Sequence, residues 1–454
     1  MKEDGHGSSD RSRKFDEATW LGHPRGLTIL FLTETWTTFS FFGMRALLVY
    51  YMTKQLVFGQ ERASLIYGGY AAAVYFTPIF GGMIADRILG KFRAVVLGAS
   101  LMALGHFMMA FESLFFPALA AIALGNGFFL PSLSSQINSL YASDDPRLAS
   151  AYNIYYVGIN LGAFAAPFVC GTLGEAYGWH WGFTAAGLGM LIGLVTYIFG
   201  ARFLPAEPRG PQPAKAAPTE NDRRAFRARF ALLIGVMAAV VVFRGAYEQV
   251  GNSVALWIDQ GVDRSVGAHL TIPMTWFQSL NPLLIFLLTP LFVWVWTSLA
   301  RRGREPSSLR KMVAGAAVVG ISYLMIAAVS AYAAAEHLRT SWHWVAAFFV
   351  VMTAGELLIL PVGLGLFGRL APKGFEATAI ATWFFAGFAG NLLAGAVGAL
   401  WSQLSHSAFF TMVGSIALLA GLFLLAFVRA GSRAEDELAH SGPLANATPQ
   451  MQSP

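Results

Sequence analysis

The stretch Glu34-Thr-Trp-Thr-Thr-Phe-Ser-Phe-Phe-Gly-Met-Arg45 places two opposite charges inside an apolar run that extends from about Gly26 to Met52. Eleven residues at about 100° each amount to three helical turns and about 20°, so Glu34 and Arg45 share one helix face. An ionised side chain at membrane depth is costly unless it is paired or hydrated, and such charges usually line an interior pathway. The run therefore predicts a membrane-spanning helix with a charged inner face. A structural ion pair, or an arginine that snorkels to the helix end, is the alternative.

The whole chain has the composition of a membrane protein. Of its 454 residues, 56% are hydrophobic and only 12% are charged, whereas a soluble domain carries about 25% charged residues. Twelve apolar segments are each long enough to cross a hydrocarbon core about 30 Å thick. We therefore predict an all-α polytopic membrane protein with twelve transmembrane helices. The segments lie near residues 26–52, 62–86, 92–111, 114–141, 148–173, 179–204, 229–258, 271–299, 311–335, 342–369, 376–402 and 406–429.

The basic residues predict the orientation of these segments. The net charge of +6 could suggest a nucleic-acid partner, but lysine and arginine flank the apolar segments and form no patch of their own. If the N-terminus is cytosolic, most of the 31 basic residues fall on the cytosolic side, and the exceptions in outer loops are few. Cytosolic loops of membrane proteins carry this excess. We expect cytosolic termini, no nucleic-acid partner, and a multi-pass location in a bacterial inner membrane, with lipid as the surrounding partner.

The loop Gly81-Gly-Met-Ile-Ala-Asp-Arg-Ile-Leu-Gly-Lys91 follows the second segment on the cytosolic side. It resembles the Gly-x-x-x-Asp-Arg-x-x-Gly-Arg/Lys loop of the major facilitator superfamily, which ties neighbouring helix ends together. The resemblance implies the major facilitator fold, in which two six-helix bundles surround a central cavity. The residues that carry this cytosolic gate loop are Gly82, Asp86, Arg87, Gly90 and Lys91.

The domain boundaries follow from these segments and from composition. The proline-rich, basic stretch that begins at Pro205 is typical of an extended linker. The end of the chain is polar and rich in small residues, as disordered segments are. The predicted units are a cytosolic N-terminal tail (1–25), an N-terminal six-helix bundle (26–204), a cytosolic linker (205–228), a C-terminal six-helix bundle (229–429) and a disordered cytosolic tail (430–454).

A narrower resemblance lies in the fifth segment, which reads Tyr152-Asn-Ile-Tyr-Tyr-Val-Gly-Ile-Asn-Leu-Gly162. An aromatic pair, two residues and then Ile-Asn-x-Gly are the signature of the proton-dependent oligopeptide transporter family, and this stretch resembles it. The likeness continues in residues 125–131, 171–183, 247–257, 275–282, 355–363 and 383–391. It implies a secondary active transporter that takes up di- or tripeptides, or peptide-like solutes, with protons by alternating access. A proton gradient is then the energy source, no cofactor is expected, and the protein is expected to work as a monomer.

The resemblance also implies roles for individual residues. In that family an acid on the tenth helix binds the amino terminus of the peptide and a basic cluster binds its carboxylate, while acids on the first and seventh helices bind protons. The matching positions for substrate binding are Arg45, Tyr75, Tyr156, Asn160, Arg244, Glu356 and Trp383, and those for proton coupling or gating are Glu34, Arg45, Glu248 and Glu356.

The chain departs from the family pattern at several charged positions. Thr37 and Thr38 stand where the second acid and the first arginine of the Glu-x-x-Glu-Arg motif belong. Leu130 replaces the fourth-helix lysine, and Arg244 takes a position where the family usually has tryptophan. Removing one member of a buried ion pair leaves its partner at a cost of about 3–5 kcal/mol, so the joint loss of an acid and a base is consistent with pairing.

Two contacts are predicted from this set of charges. Arg244 and Glu248 lie four residues apart on one helix face, and we predict that Arg244 pairs with Glu356 or with the substrate carboxylate. An Arg45–Glu248 bridge would hold the outer gate shut, and protonation of Glu248 would break it. Glu34 lacks the second acid and the first arginine of the family motif. Two roles stay open for it: proton coupling, or that of a neutral acid hydrogen-bonded to Thr37 or Thr38.

Other classes of function are weighed against transport of peptides. An enzyme would need paired acids at metal spacing, a histidine-rich site or an activated nucleophile, and the nine histidines are scattered. We therefore expect neither catalysis nor a metal site. Two alternatives stay open: a carrier of the same fold for a small organic or inorganic anion, with altered or lost proton coupling, and a non-transporting nutrient sensor.

Overall fold

The described chain is almost entirely α-helical. The computed structural model of the protein describes residues 18–142, 145–205, 220–267, 269–371 and 375–440. Within a bilayer every backbone N–H and C=O group needs a partner inside the chain, and a helix supplies these partners within one segment. The long apolar runs of the sequence accordingly form helices.

The described residues form thirteen α-helices of more than ten residues each. The helices of the first half are α1 (Arg25–Tyr50), α2 (Gln60–Ile84), α3 (Lys91–Met108), α4 (Phe115–Asn138), α5 (Arg147–Ala166) and α6 (Trp179–Gly200). Those of the second half are α7 (Glu220–Tyr247), α8 (Leu280–Arg301), α9 (Ser308–Ala335), α10 (Trp342–Leu370), α11 (Glu376–Ala399) and α12 (His406–Leu425), and they are followed by α13 (Val428–His440).

Several of these helices continue through turns of a different pitch. π-Helical turns extend α1 at Tyr51–Gln55 and α2 at Ala85–Leu89, and Pro167–Gly171 joins α5 to the short helix Thr172–Tyr177. A 3₁₀ turn at Glu248–Gly251 joins α7 to the short helix Ser253–Gln260, and another at Met274–Ser279 leads into α8. Such turns inside long helices often mark functional positions.

Strands among the described residues form three short pairs. β1 (Ala18–Trp20) and β2 (His23–Pro24) are antiparallel, β3 (Val262–Asp263) runs parallel to β6 (Thr340–Ser341), and β4 (Ser265–Val266) and β5 (Leu270–Thr271) are antiparallel. The β3–β6 pair connects two loops at one end of the second half.

Ten helical segments among the described residues are long and apolar enough to cross a membrane. The helices α1 and α3 are not among these ten. Both nevertheless pack within the first half, α1 against α5 and α6, and α3 against α4 and α6. Ten of the twelve predicted spans are therefore confirmed by length and composition.

The helices pack in two groups that match the two halves. In the second half, α9 packs against α10 and α12, and α7 packs against α11 and α12. The halves meet mainly through α2 with α11 and through α5 with α8. We call the end of the protein at which α1 begins the proximal end, and the end at which α1 ends the distal end.

The structure departs from the predicted domains at the linker and at the C-terminal tail. Helix α7 begins at Glu220, inside the predicted linker. The predicted disorder from residue 430 is wrong for residues 430–440, which belong to α13. The Glu435 carboxylate accepts hydrogen bonds from Ser308 N–H at 3.2 Å and from Arg369 Nη2 at 3.1 Å. This tertiary contact orders a polar segment that has no apolar run of its own. Residues 1–17, 206–219 and 441–454 lie outside the described residues.

Candidate functional site: a carboxylate between two arginines

Glu248 lies at the centre of a buried charged cluster between the two halves. Its Oε2 accepts a hydrogen bond from Arg45 Nη2 of α1 at 2.7 Å, and its Oε1 accepts one from Arg244 Nη1 of α7 at 2.8 Å. The exposed fractions of the three side chains are 4% for Glu248, 21% for Arg45 and 7% for Arg244. One carboxylate thus faces two guanidinium groups, and the cluster of three carries a net charge of +1.

Two tyrosines of α2 support the arginines of this cluster. Arg45 Nε donates to the Tyr67 hydroxyl at 2.7 Å, and Arg244 Nη1 donates to the Tyr75 hydroxyl at 3.2 Å. The Arg244 guanidinium also lies 5.0 Å from the centre of the Tyr75 ring, which is a cation–π distance. Gly390 on α11 leaves room for Arg244, because a Cβ there would sit 2.4 Å from the arginine Cβ. These contacts fix the orientation of both cations.

The structure confirms one predicted contact and corrects the other. The Arg45–Glu248 pair forms as predicted. Arg244 is predicted to pair with Glu356 or with the substrate carboxylate. The pair with Glu356 is not formed, because Arg244 bonds Glu248, four residues further along the chain, and the contact with the substrate stays a prediction. Spacing of four residues on one helix brings two side chains together without any change of helix packing.

Glu356 instead faces α8. Its Oε2 accepts a hydrogen bond from Asn281 Nδ2 at 2.5 Å, and the same amide group lies 3.0 Å from Thr353 Oγ1. The Tyr247 hydroxyl is a further neighbour of the carboxyl group. Glu356 is 8% exposed, and its partners are neutral. Asn281 is not a predicted site residue, although it lies in one of the stretches that resemble the family.

Glu34 is buried in the first half, and no described residue forms a salt bridge with it. Thr38 Oγ1 donates to Glu34 Oε1 at the long distance of 3.5 Å, while Thr37 Oγ1 donates to the backbone of its own helix. The second oxygen, Oε2, has no hydrogen-bond partner among the described residues, although Tyr155 lies close by. Of the two threonines, Thr38 is therefore the one next to the acid.

The remaining pocket residues have different surroundings. Tyr75 contacts Arg244, as described above. Trp383 is 6% exposed and packs on the Phe367 ring at 5.3 Å, so its contacts are those of a core residue. Asn160 donates to the backbone oxygen of Tyr156 at 3.0 Å, and the Tyr156 side chain is half-exposed. The Asn160 amide therefore bonds its own helix, and a contact of Tyr156 with the substrate stays a prediction.

The predicted gate loop forms a tight connection between α2 and α3. Gly90 has a φ of +77° at the end of the π-helical turn, a conformation that favours glycine. Lys91 Nζ lies 3.4 Å from a backbone oxygen of α4, and Gly82 lies against a proline of the same helix. The side chains of Asp86 and Arg87 are exposed.

Polar contacts between the halves gather towards the distal end. Besides the arginine cluster, they include Tyr50 Oη to the Ala255 oxygen at 2.9 Å and Lys54 Nζ to Asp259 at 2.7 Å. The buried residues of α8 are Pro282 and Ile285, both in its first two turns. The remainder of α8 is at least partly exposed, and the ring of Trp296 in its proximal part lies 4.5 Å from Lys311 Nζ of α9. The polar contacts named here close the distal end between the halves.

Comparison with known proteins adds independent information on this chain. The model of the POT family matches residues 92–220 and 214–415. A di-/tripeptide transporter of Lactococcus lactis subsp. cremoris is 33% identical, and the alignment covers 90% of this chain and 96% of the relative. The peptide transporter YePEPT of Yersinia enterocolitica subsp. palearctica is 32% identical over 84% of this chain and 88% of the relative.

Solved structures show the same similarity in three dimensions. A crystal structure of peptide transporter POT in complex with sulfate has a TM-score of 0.82 and 29% identity, and covers 94% of this chain and 99% of that chain. A POT family transporter in complex with 5-aminolevulinic acid has a TM-score of 0.82 and 25% identity, with coverages of 92% and 99%. Because the family model and a relative 33% identical both extend over most of its length, this chain belongs to the POT family.

Proposed function

We propose that the protein takes up di- and tripeptides, or peptide-like solutes, together with protons by alternating access. The observation that carries the proposal is the Glu248 carboxylate, which joins Arg45 of the first half to Arg244 of the second half. Peptide-transporting relatives over most of the chain support the same cargo. A proton on Glu248 removes the negative charge that pairs with both arginines. Proton binding at this one group therefore weakens the closed distal side.

The proposed topology places the distal end outside the cell. In this topology, α1 and α3 span the membrane together with the ten apolar segments, and both termini are cytosolic. The basic residues Arg147, Arg301, Lys311 and Arg369 lie at proximal helix ends, as expected for the cytosolic side. The two halves, residues 26–204 and 229–429, then rock against each other within a single copy of the chain in a bacterial inner membrane.

The charges of the site fit a zwitterionic peptide. Glu356 can exchange its neutral partner Asn281 for the peptide ammonium group, and a charged donor makes the stronger hydrogen bond. Arg244 and Arg45 share a single carboxylate, so one guanidinium group can donate to the peptide carboxylate while the other stays paired with Glu248. Arg244 then takes over the role of the basic residue that Leu130 replaces.

Uptake into proteoliposomes tests the proposal. Radiolabelled dialanine should accumulate under an inward proton gradient, and unlabelled di- and tripeptides should compete while amino acids should not. Glu248→Gln should lose accumulation but keep exchange of labelled for unlabelled peptide, because exchange needs no net proton movement. If no di- or tripeptide is bound or carried, the proposed cargo is refuted. Full accumulation by Glu248→Gln would refute the proposal that Glu248 couples transport to protons.

A second candidate cargo is a small organic anion that is not a peptide. The surplus positive charge of the arginine cluster favours it. The same liposomes decide between the two cargoes. Competition by monocarboxylates that lack an amino group, with none by dipeptides whose amino and carboxyl groups are free, would establish the anion carrier.

A further inference from the structure

A second carboxylate joins the halves at the distal end, away from the arginine cluster. Glu175 lies in the short helix Thr172–Tyr177 of the first half. Its Oε2 accepts a hydrogen bond from Met274 N–H of the second half at 3.0 Å. Its Oε1 accepts two more, from Thr275 N–H at 2.9 Å and from Thr275 Oγ1 at 2.6 Å. Every one of these three donors belongs to the opposite half.

The donors lie at the start of the 3₁₀ turn Met274–Ser279, which leads into α8. The first N–H groups of a helical segment have no partner within it, and they carry partial positive charge. A carboxylate that accepts from two of them makes charge-assisted hydrogen bonds. The first half of the protein therefore caps the beginning of α8.

This cap is connected to the substrate site by a short path along α8. Trp276 Nε1 donates to Thr172 Oγ1 at 2.8 Å, which adds a second contact between the same two segments. Ser279 Oγ donates to the Phe164 oxygen at 2.8 Å, and Asn281 bonds Glu356 two residues later. The segment that Glu175 holds thus ends at the amide group that contacts the proposed peptide-binding acid.

We propose that Glu175 is a second gate residue, which keeps the distal side closed by capping the start of α8 and must release it for the distal side to open. The proposal rests on the proposed alternating access. It extends that function to a residue outside the arginine cluster. Because Asn281 belongs to the same helix, Glu175 also acts as a positioning residue for the substrate site.

The neighbouring acid Glu112 provides a matched control. Both carboxylates line the same surface cleft of about 380 Å³. The partner of Glu112 is Gln55 at 2.6 Å, and both residues belong to the first half. Glu112→Gln and Glu175→Gln therefore remove the same charge from the same cleft, but only the second change removes contacts between the halves.

Distances between spin labels on the two halves test the proposal without any transport measurement. Phe111 and Leu338 are exposed, at 62% and 63%, and lie in distal loops of the first and second half. Both are replaced by cysteine in a Cys170→Ala background, because Cys170 is the single cysteine of the chain. The labelled protein is placed in lipid nanodiscs, and the distance distribution is measured by pulsed electron resonance.

Glu175→Gln should raise the ratio of long to short distances about tenfold or more, because an amide group keeps an acceptor but loses the charge that strengthens these bonds. Thr275→Ala, which keeps the carboxylate, should shift the ratio in the same direction by less, and Glu112→Gln should leave it unchanged. An unshifted distribution in Glu175→Gln, with a shifted one in Glu248→Gln, overturns this inference alone. If neither variant shifts the distance distribution, both this inference and the proposed alternating-access function are overturned.

Discussion

Replacement of Glu248 by glutamine changes one atom of the bridge and removes its charge. The carboxylate accepts from Arg45 at 2.7 Å and from Arg244 at 2.8 Å. The amide group of glutamine has one oxygen to offer and one NH₂ group, and that NH₂ group must face a guanidinium donor. One of the two contacts is therefore lost, and the other becomes a hydrogen bond to a neutral acceptor.

The size of the effect follows from the contact that joins the halves. Arg244 and Glu248 belong to the same half, so only the contact between Glu248 and Arg45 is broken when the distal side opens. A hydrogen bond to a charged group contributes about 1.5–3 kcal/mol. Arg45 is 21% exposed, so water replaces part of this loss and the lower end, about 1.5–2 kcal/mol, applies. Since 1.4 kcal/mol is a factor of ten, the closed distal state should lose about 10- to 30-fold in population relative to the open state.

The spin-label pair on the distal loops measures this ratio, and Asp259→Asn is the control. Asp259 also pairs with a cation of the other half, Lys54, at the same distance of 2.7 Å, but the lysine side chain is 42% exposed. An exposed ion pair contributes about 0–1 kcal/mol, so Asp259→Asn should change the ratio by about fivefold at most. Equal shifts in Glu248→Gln and Asp259→Asn, or no shift in Glu248→Gln, would refute the reasoning. Burial between two arginines would then not make Glu248 the strongest contact that holds the distal side closed.

Three further variants test other parts of the structure. Glu356→Gln should weaken competition by dipeptides with a free amino group about tenfold or more, and should leave N-acetylated peptides unaffected, because only the former lose an ion pair; uptake competition measures both. Gly81→Ala should lower the unfolding free energy by about 1–3 kcal/mol, since its Cβ would sit 2.1 Å from the Gly127 oxygen. Gly69→Ala, where nothing lies within 4 Å of the added Cβ, should not lower the unfolding free energy. Equal melting temperatures of the two variants would contradict the close packing at Gly81. Glu435→Gln should lower the melting temperature of the protein by loosening α13 from α9, whereas an unchanged melting temperature would show that this contact contributes nothing to stability.

Apolar segments could be recognised from the sequence because their signal is local. A run of about twenty apolar residues can satisfy its backbone only as a helix in lipid, whatever it packs against. Ten predicted spans were confirmed in this way. The Arg45–Glu248 contact was also predictable, because the family resemblance and the depth of each residue in its helix agree on it. The resemblance itself was sufficient to name the family.

Partners of the other buried polar groups depend on how the helices rotate and meet, which no local pattern records. Glu175 and Asn281 lie in recognisable stretches, but their partners are about 100 and 75 residues away in sequence. Helix α13 is polar, and its contact with Ser308 is tertiary. The sequence by itself determined the membrane helices and the family, since burial in lipid acts on each segment separately. Only the tertiary structure decided which charges and amides meet, because these contacts form when separate helices pack.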